Sequence, residues 1–274
     1  MNFLSFGFFL ICFSLFSIEL KTGLQTICIP EKNFSPCKKN QIGVDIFIPQ
    51  KKTQKNILVL NGWNFPKEDW HKKTDILKFA EENSYVLIFP AMGKTLYESE
   101  YYPETKMKWH IVPGGKWIPE IFIPEMQNMG LLKTDQKNFI MGLSTGGRGA
   151  ALVALSCTNL FKGVASISGD FDQSKMPKDR IMTMVYGNFS DFPDRWINSD
   201  NPQAKISLWN IPIYLGHGRA DKIVPFNQTE IFYKTLQSNH PNLKIKFNDP
   251  KTSGHDFTYW NSEVKPIFEF FNQL

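Results

Sequence analysis

The sequence lacks the patterns that announce several common protein classes. It contains no arginine-rich run, and its 31 lysines and arginines exceed its 26 acidic residues only mildly, for a net charge of +5. Because this excess is spread along the chain, it does not predict a nucleic-acid partner. No P-loop, dinucleotide fingerprint or clustered His/Cys spacing is present, so we expect neither a cofactor nor a metal. The 42% hydrophobic content predicts a folded globular protein.

The sequence has one long apolar run, at its N-terminus. Residues 3–18 carry no charged side chain, and the run is shorter than the roughly 20 residues that a spanning helix needs. It therefore predicts a signal peptide over residues 1–18, with cleavage after Ser17, and a secreted or periplasmic protein. No lysine or arginine precedes the run, so an uncleaved N-terminal anchor stays open. If the signal is cleaved, we expect no stable membrane association.

The few cysteines are compatible with export. Residues 19–40 form an N-terminal extension in which Cys28 and Cys37 flank a short polar stretch. In an oxidising compartment these two thiols are predicted to close a small disulfide loop, with two unrelated thiols as the alternative. Cys157 lies on a predicted buried helix, where a packing role is expected.

From residue 41 to 274, apolar strand patterns alternate with helical patterns. This alternation predicts an α/β fold with a mainly parallel central sheet and helices on both faces. Residues 170–208 interrupt the pattern with three prolines and several aromatics, and we expect them to form an irregular insertion over the active site. The predicted strands are 42–48, 56–60, 85–89, 138–141, 163–168, 211–215 and 243–247. The predicted helices are 67–83, 117–129, 145–157, 227–238 and 261–272.

The sharpest motif is Gly-Leu-Ser-Thr-Gly at residues 142–146, which fits the pattern G-x-S-x-G. A buried strand precedes it and a helix of small residues follows, as in a nucleophile elbow, the tight turn that lifts a serine hydroxyl clear of the sheet. Gly142 and Gly146 supply the small neighbours that this turn requires. Ser144 is therefore the predicted nucleophile.

A serine hydroxyl needs a base that removes its proton. Of the five histidines, His255 follows the last predicted strand and precedes the last helix. A side chain at such a strand end reaches back over the sheet, so His255 is the predicted base. His71 is expected on a solvated helix face, and His240 in a polar turn.

The base in turn needs a carboxylate that orients it. Asp221 follows the penultimate strand, which brings it towards the loop that carries His255. Asp170, Asp172 and Asp256 are the alternatives. His217, in the same loop as Asp221, is expected to hold that loop by a hydrogen bond.

The chain order Ser144, Asp221, His255 is the order found in α/β-hydrolases. With the elbow, the Gly-x-x-Asp-x-x-Val-Pro segment ending at Pro225 and the Ser-Gly-His-Asp-Phe-x-Tyr-Trp segment ending at Trp260, the chain resembles the esterase-D-like branch of that superfamily. This branch includes carboxylesterases, S-formylglutathione hydrolases, feruloyl and acetyl-xylan esterases and mycolyltransferase relatives. The resemblance covers residues 40–274 and implies the α/β-hydrolase fold.

The resemblance also implies an oxyanion hole made of two backbone N–H groups. One belongs to Thr145, directly after the nucleophile, and the other to Trp63 in the loop after an early strand. Many relatives carry His-Gly in that loop, whereas this chain has Asn61 and Gly62. Since the donor is main chain, we expect the change to be tolerated.

These residues together predict an exported serine esterase that forms an acyl-enzyme on Ser144. The expected partner is a small ester, such as an acylated sugar or an aromatic acyl ester. An acyltransferase, a serine peptidase and a catalytically silent binding module stay open as alternatives. Arg148 is expected to make an ion pair on a helix surface, with steering of an anionic substrate as the other option. Seven aromatics are placed near the serine, either to stack on substrate or to form a core beneath a lid: Trp63, Tyr101, Tyr102, Trp109, Trp117, Phe171 and Trp196.

Overall fold

A computed structural model describes residues 20–30 and 41–274. The predicted signal peptide and Cys37 lie outside these residues, so export and the Cys28–Cys37 disulfide stay predictions. Within the described part, no helix combines the length and apolar composition that crossing a membrane requires.

Within the part of the chain that the structure describes, eight strands, numbered in chain order, form one sheet in the order β1-β2-β4-β3-β5-β6-β7-β8. The strands β3 to β8 pair in parallel, whereas β1 and β2 run antiparallel to their neighbours. The predicted mainly parallel sheet is confirmed. The strands are β1 Gly23–Pro30, β2 Gln41–Ile48, β3 Lys55–Leu60, β4 Val86–Pro90, β5 Lys137–Leu143, β6 Phe161–Ile167, β7 Ile213–Gly216 and β8 Ile245–Asn248.

Helices cover both faces of the sheet. A π-helical turn, Ile118–Phe122, joins helix α3, Gly114–Trp117, to helix α4, Ile123–Asn128. The predicted helix 117–129 is therefore a continuous helical segment with an irregular centre. The last helix begins four residues earlier than predicted because Asp256 caps it, its Oδ1 accepting the N–H of Tyr259 at 3.0 Å. The helices are α1 Asp69–Lys73, α2 Ile76–Asn83, α3 Gly114–Trp117, α4 Ile123–Asn128, α5 Thr145–Ser156, α6 Arg180–Tyr186, α7 Asn227–Asn239 and α8 Phe257–Phe271.

Strand β1 lies within residues 19–40, for which the sequence predicts only an N-terminal extension. Its buried side chains, Ile27 and Ile29, alternate with exposed Thr26 and Cys28. That period of two is typical of an edge strand with one covered face.

The central strands are buried on both faces. In β3, Leu58 and Leu60 belong to the core on one side of the sheet, and Ile57 and Val59 to the core on the other. Since alternate side chains of a strand point to opposite faces, each strand contributes to both layers.

The insertion, residues 170–208, contains α6 and three short helical turns. A small core of its own forms around Met182, Val185, Tyr186 and Trp196, together with Leu96. Met176, Ile181 and Met182 of the insertion line the same cleft as Ser144, so the insertion lies beside the carboxyl end of β5.

Replacing a central core residue should destabilise the whole sheet. Ile140 in β5 is fully buried, and Ile140→Ala is expected to lower the free energy of unfolding by about 2–5 kcal/mol, since it leaves a cavity. Leu208→Ala is the control, because that leucine is 67% exposed and its loss should change stability by less than about 0.5 kcal/mol. Chemical denaturation measures both, and equal effects would contradict this account of the core.

Candidate active site

Ser144 occupies the turn between β5 and α5. Its φ of 54° and ψ of −128° lie outside the regions that most residues adopt. Such a conformation is strained by about 1–3 kcal/mol, so contacts with the surrounding structure must stabilise it. The Ser144 N–H donates to the carbonyl of Ile167 at 2.8 Å, which fixes the turn against β6.

The two motif glycines make this turn possible. A Cβ on Gly142 would lie 2.2 Å from the carbonyl oxygen of Gly146, and one on Gly146 would lie 2.5 Å from that of Asn61. Both distances are far below van der Waals contact, so neither position accepts a side chain. The absence of a side chain at Gly146 also lets the loop after β3 contact the start of α5.

His255 and Asp221 meet Ser144 at the carboxyl ends of the strands. The Nε2 atom of His255 lies 3.0 Å from Ser144 Oγ, and its Nδ1 lies 2.7 Å from Asp221 Oδ2. The side chain of His255 is 9% exposed and that of Asp221 is fully buried. The structure thus brings together the three side chains that the sequence selected.

The surroundings of Asp221 keep it ionised. Burial alone would raise its pKa, but hydrogen bonds with His217 and His255 and the backbone N–H of Ile223 hold that pKa well below its usual value. His217 Nε2 lies 3.3 Å from Asp221 Oδ2, as expected for a histidine that holds this loop.

The other candidate carboxylates are engaged elsewhere. Asp256 caps α8, and Asp172 accepts hydrogen bonds from Ser174 and Asn201. Asp170 pairs with Arg148, whose Nη1 lies 3.4 Å from Asp170 Oδ2. Burial raises the pKa of Asp170 to about 6, although Arg148 acts in the opposite direction.

The expected ion pair of Arg148 is present, with Asp170, but it is buried, so the expected position on a helix surface is wrong. Its guanidinium is fully buried and donates to Asp170, to Gln173, to the Tyr186 hydroxyl at 2.8 Å and to the Asp200 carbonyl at 2.8 Å. These partners belong to the insertion, so Arg148 ties the insertion to α5. With its donors engaged there, Arg148 does not steer an anionic substrate.

The two predicted oxyanion donors lie beside Ser144. Thr145 begins α5, where the first N–H groups of a helix have no intrahelical partner, and Trp63 lies in the turn after β3. Both line the same cleft as Ser144. Their catalytic role stays a prediction.

Side chains hold the loop after β3 in place. The Asn61 amide donates to the Pro66 carbonyl at 2.7 Å, and the buried Tyr97 hydroxyl donates to the Asn61 carbonyl at 2.7 Å. Trp70 Nε1 donates to the Leu60 carbonyl at 3.2 Å. Asn61, at the position where many relatives carry histidine, thus stabilises the loop from within.

The predicted aromatics divide between cleft and core. Trp63 lines the cleft, whereas Trp117, Phe171 and Trp196 are fully buried in the cores, and Tyr102 packs against the insertion. Most of this set therefore supports the fold and does not face a substrate.

Two further expectations have clear outcomes. His71 does not lie on a solvated face, because its largely buried Nε2 pairs with Asp45 Oδ2 at 3.0 Å. Cys157 packs against the core at the end of α5, and burial raises the pKa of its thiol. Within residues 20–30 and 41–274, no three His, Cys, Asp or Glu side chains form a group that could hold a metal.

A tryptophan that was not among the predicted site residues packs on His255. The indole of Trp260 meets the His255 imidazole edge to face, with ring centroids 5.0 Å apart. Trp260 is buried, and its Nε1 donates to Ser168 Oγ at 3.2 Å. The only sequence signal was its place in the segment that follows His255.

Weakening the anchor of Trp260 should slow catalysis. Ser168→Ala removes the acceptor that holds the indole against His255, and Trp260→Phe removes the donor while keeping an aromatic ring at that position. Each is expected to lower kcat by about 2- to 10-fold with little change in KM. The double variant should be no slower than the slower single variant, because both remove one interaction.

Trp209→Phe is the matched control, since its buried indole donates to the Ile211 carbonyl, outside the site. Steady-state kinetics on a p-nitrophenyl ester measure all four variants. The positioning role would be refuted if the fold-losses of kcat in Ser168→Ala and Trp260→Phe multiplied in the double variant. It would also be refuted if Trp209→Phe lost as much kcat as Trp260→Phe.

The sheet, the elbow and the hydrogen-bonded Ser144, His255 and Asp221 define an α/β-hydrolase fold of the serine hydrolase class. The chain belongs to the prolyl oligopeptidase family (Peptidase_S9), whose sequence pattern matches residues 70–274. The predicted superfamily and fold are confirmed.

Known proteins of several activities resemble this chain. It is 23% identical over 254 residues to an acetyl esterase of Caldicellulosiruptor saccharolyticus, covering 87% of this chain and 89% of that protein. An S-formylglutathione hydrolase from Agrobacterium tumefaciens is 13% identical with a TM-score of 0.73, over 93% of this chain and 97% of that one. The acylaminoacyl peptidase of Pyrococcus horikoshii is 14% identical with a TM-score of 0.68, over 92% of this chain but 42% of the peptidase. At these identities the two solved structures establish the fold alone.

Proposed function

We propose that this protein is an exported serine esterase that hydrolyses carboxylic esters through an acyl-enzyme on Ser144. The observation that carries the proposal is the unbroken hydrogen-bond chain from Ser144 Oγ through His255 to the ionised Asp221. It connects a nucleophile, a base and an orienting carboxylate, which is the arrangement that acyl transfer to serine requires.

Each residue has one role in this mechanism. Ser144 Oγ attacks the ester carbonyl while His255 Nε2 accepts its proton, and Asp221 orients the imidazole and stabilises its charged form. The N–H groups of Thr145 and Trp63 bind the oxyanion. The alcohol leaves with the proton from His255, and water then attacks the acyl-enzyme by the same route in reverse.

Two comparisons support esters over peptides as substrates. The chain is 23% identical to an acetyl esterase and matches 89% of that protein's length. The acylaminoacyl peptidase, by contrast, is matched over less than half of its chain. Family membership favours a serine peptidase as the second candidate, because the family is named for prolyl oligopeptidase.

A fluorophosphonate probe and short p-nitrophenyl esters test the proposal together. The folded protein should bind the probe covalently and turn over the esters, and Ser144→Ala should abolish labelling and lower kcat by roughly 10⁴-fold or more. Ser156→Ala is the matched control, because that exposed serine lies at the far end of α5.

Each alternative predicts a different result in this assay. A folded protein that neither labels nor turns over would be a silent binding module. Labelling with product formed only on an added alcohol would indicate an acyltransferase. Acylated peptide amides cleaved faster than the matched esters would indicate a peptidase.

Export is the second part of the proposal, and it rests on the uncharged run at residues 3–18. A bacterial host expressing the full sequence should release a protein that begins at Ile18, since we expect cleavage after Ser17. Mass spectrometry of the N-terminus measures this. Replacing Leu10 by Arg should keep the protein in the cytosol, because a charge interrupts the apolar core of the signal. Full-length protein held in the membrane fraction would favour the uncleaved anchor instead.

A further inference from the structure

The cleft beside Ser144 has a volume of about 380 Å³ and mostly apolar walls. This volume lies at the small end of the range of ligand sites, roughly 300–1,000 Å³. Eight apolar side chains line it, from the loops after β3 and β4, the insertion and the segment after Asp221: Trp63, Phe65, Leu96, Met176, Ile181, Met182, Ile223 and Val224.

The apolar side chains of the lining differ widely in exposure. Ile223 is 69% exposed, Val224 is 6% exposed, and Met182 and Leu96 are 3% and 1% exposed. Met182 and Leu96 also belong to the small core of the insertion. Both the exposed and the buried parts of the lining therefore include apolar side chains.

The two acidic side chains of the lining are already engaged within the protein. Asp170 pairs with the buried Arg148, and Asp179 Oδ1 caps α6 by accepting the N–H groups of Ile181 and Met182, each at 2.9 Å. The ring of Phe65 packs edge-on against Phe257 and Trp260. Beyond Ser144 and His255, the polar side chains of the lining are these two carboxylates and the Thr145 hydroxyl, so apolar side chains are the majority.

From these walls we propose that the cleft binds an unbranched aliphatic acyl group of medium length, about four to eight carbons. The inference rests on the proposed esterase function and names its substrate class. An acetyl group would leave most of the apolar wall uncovered, whereas each added methylene buries more of it until the cleft is full.

A series of p-nitrophenyl esters tests the proposal, because the leaving group is constant and only the acyl chain changes. From acetate through butyrate and hexanoate to octanoate, kcat/KM should rise by about two- to fourfold per methylene and then level off or fall. Acetylated xylo-oligosaccharides, measured by released acetate, should have a lower kcat/KM than the same oligosaccharides carrying hexanoyl groups, because the leaving group is again the same.

Two matched substitutions locate the binding surface. Ile223→Ser should reduce the preference for octanoate over acetate at least threefold, because it removes an apolar wall at the rim. Ile231→Ser is the control, since that isoleucine is 42% exposed on α7, outside the cleft. It should leave the preference unchanged. Because Ile223 is mostly exposed, its replacement should leave the fold intact, which circular dichroism verifies.

The outcomes separate this inference from the proposed function. If no ester is hydrolysed, the esterase proposal itself is wrong. If esters are hydrolysed but acetate or the acetylated sugar is the best substrate, or if both isoleucine variants change the preference equally, the acyl-chain proposal is overturned and the esterase function stands.

Discussion

The parallel pairing of the central strands is the constraint on which the rest of the structure depends. Because β5, β7 and β8 run in the same direction, their carboxyl ends meet at one edge of the sheet. The segments that follow them carry Ser144, Asp221 and His255. Residues more than a hundred positions apart thus come within hydrogen-bond distance without any special local geometry beyond the elbow itself.

At that edge, hydrogen bonds pair two groups of buried polar atoms, one around Asp221 and one in the loop after β3. Asp221 is shared between His217 and His255, and the loop after β3 is held by Asn61, Tyr97 and Trp70. Unpaired, such groups would destabilise the fold, and paired, they resist movement. The same interactions that satisfy the buried backbone therefore also keep the site ready for reaction.

The insertion is bound to the hydrolase sheet by a buried charge. Arg148 sits one helical turn after Ser144 and reaches into residues 170–200 through Asp170, Tyr186 and the Asp200 carbonyl. Burying a guanidinium is unfavourable unless its donors are satisfied, and the insertion supplies the acceptors that satisfy Arg148 in the observed arrangement over α5. That arrangement places Met176, Ile181 and Met182 in the walls of the cleft.

What the sequence by itself determined is the set of local patterns: strand and helix alternation, the small residues around Ser144, and the order of Ser144, Asp221 and His255. Each of these patterns is defined by residue types and their order along the chain, so the sequence alone reveals it. The tertiary structure decided the burial of Arg148 and His71, the contact of Trp260 with His255, and which aromatics face the cleft. Each of these features depends on contacts between residues that are distant in sequence. Such contacts form only when the sheet, its helices and the insertion pack together.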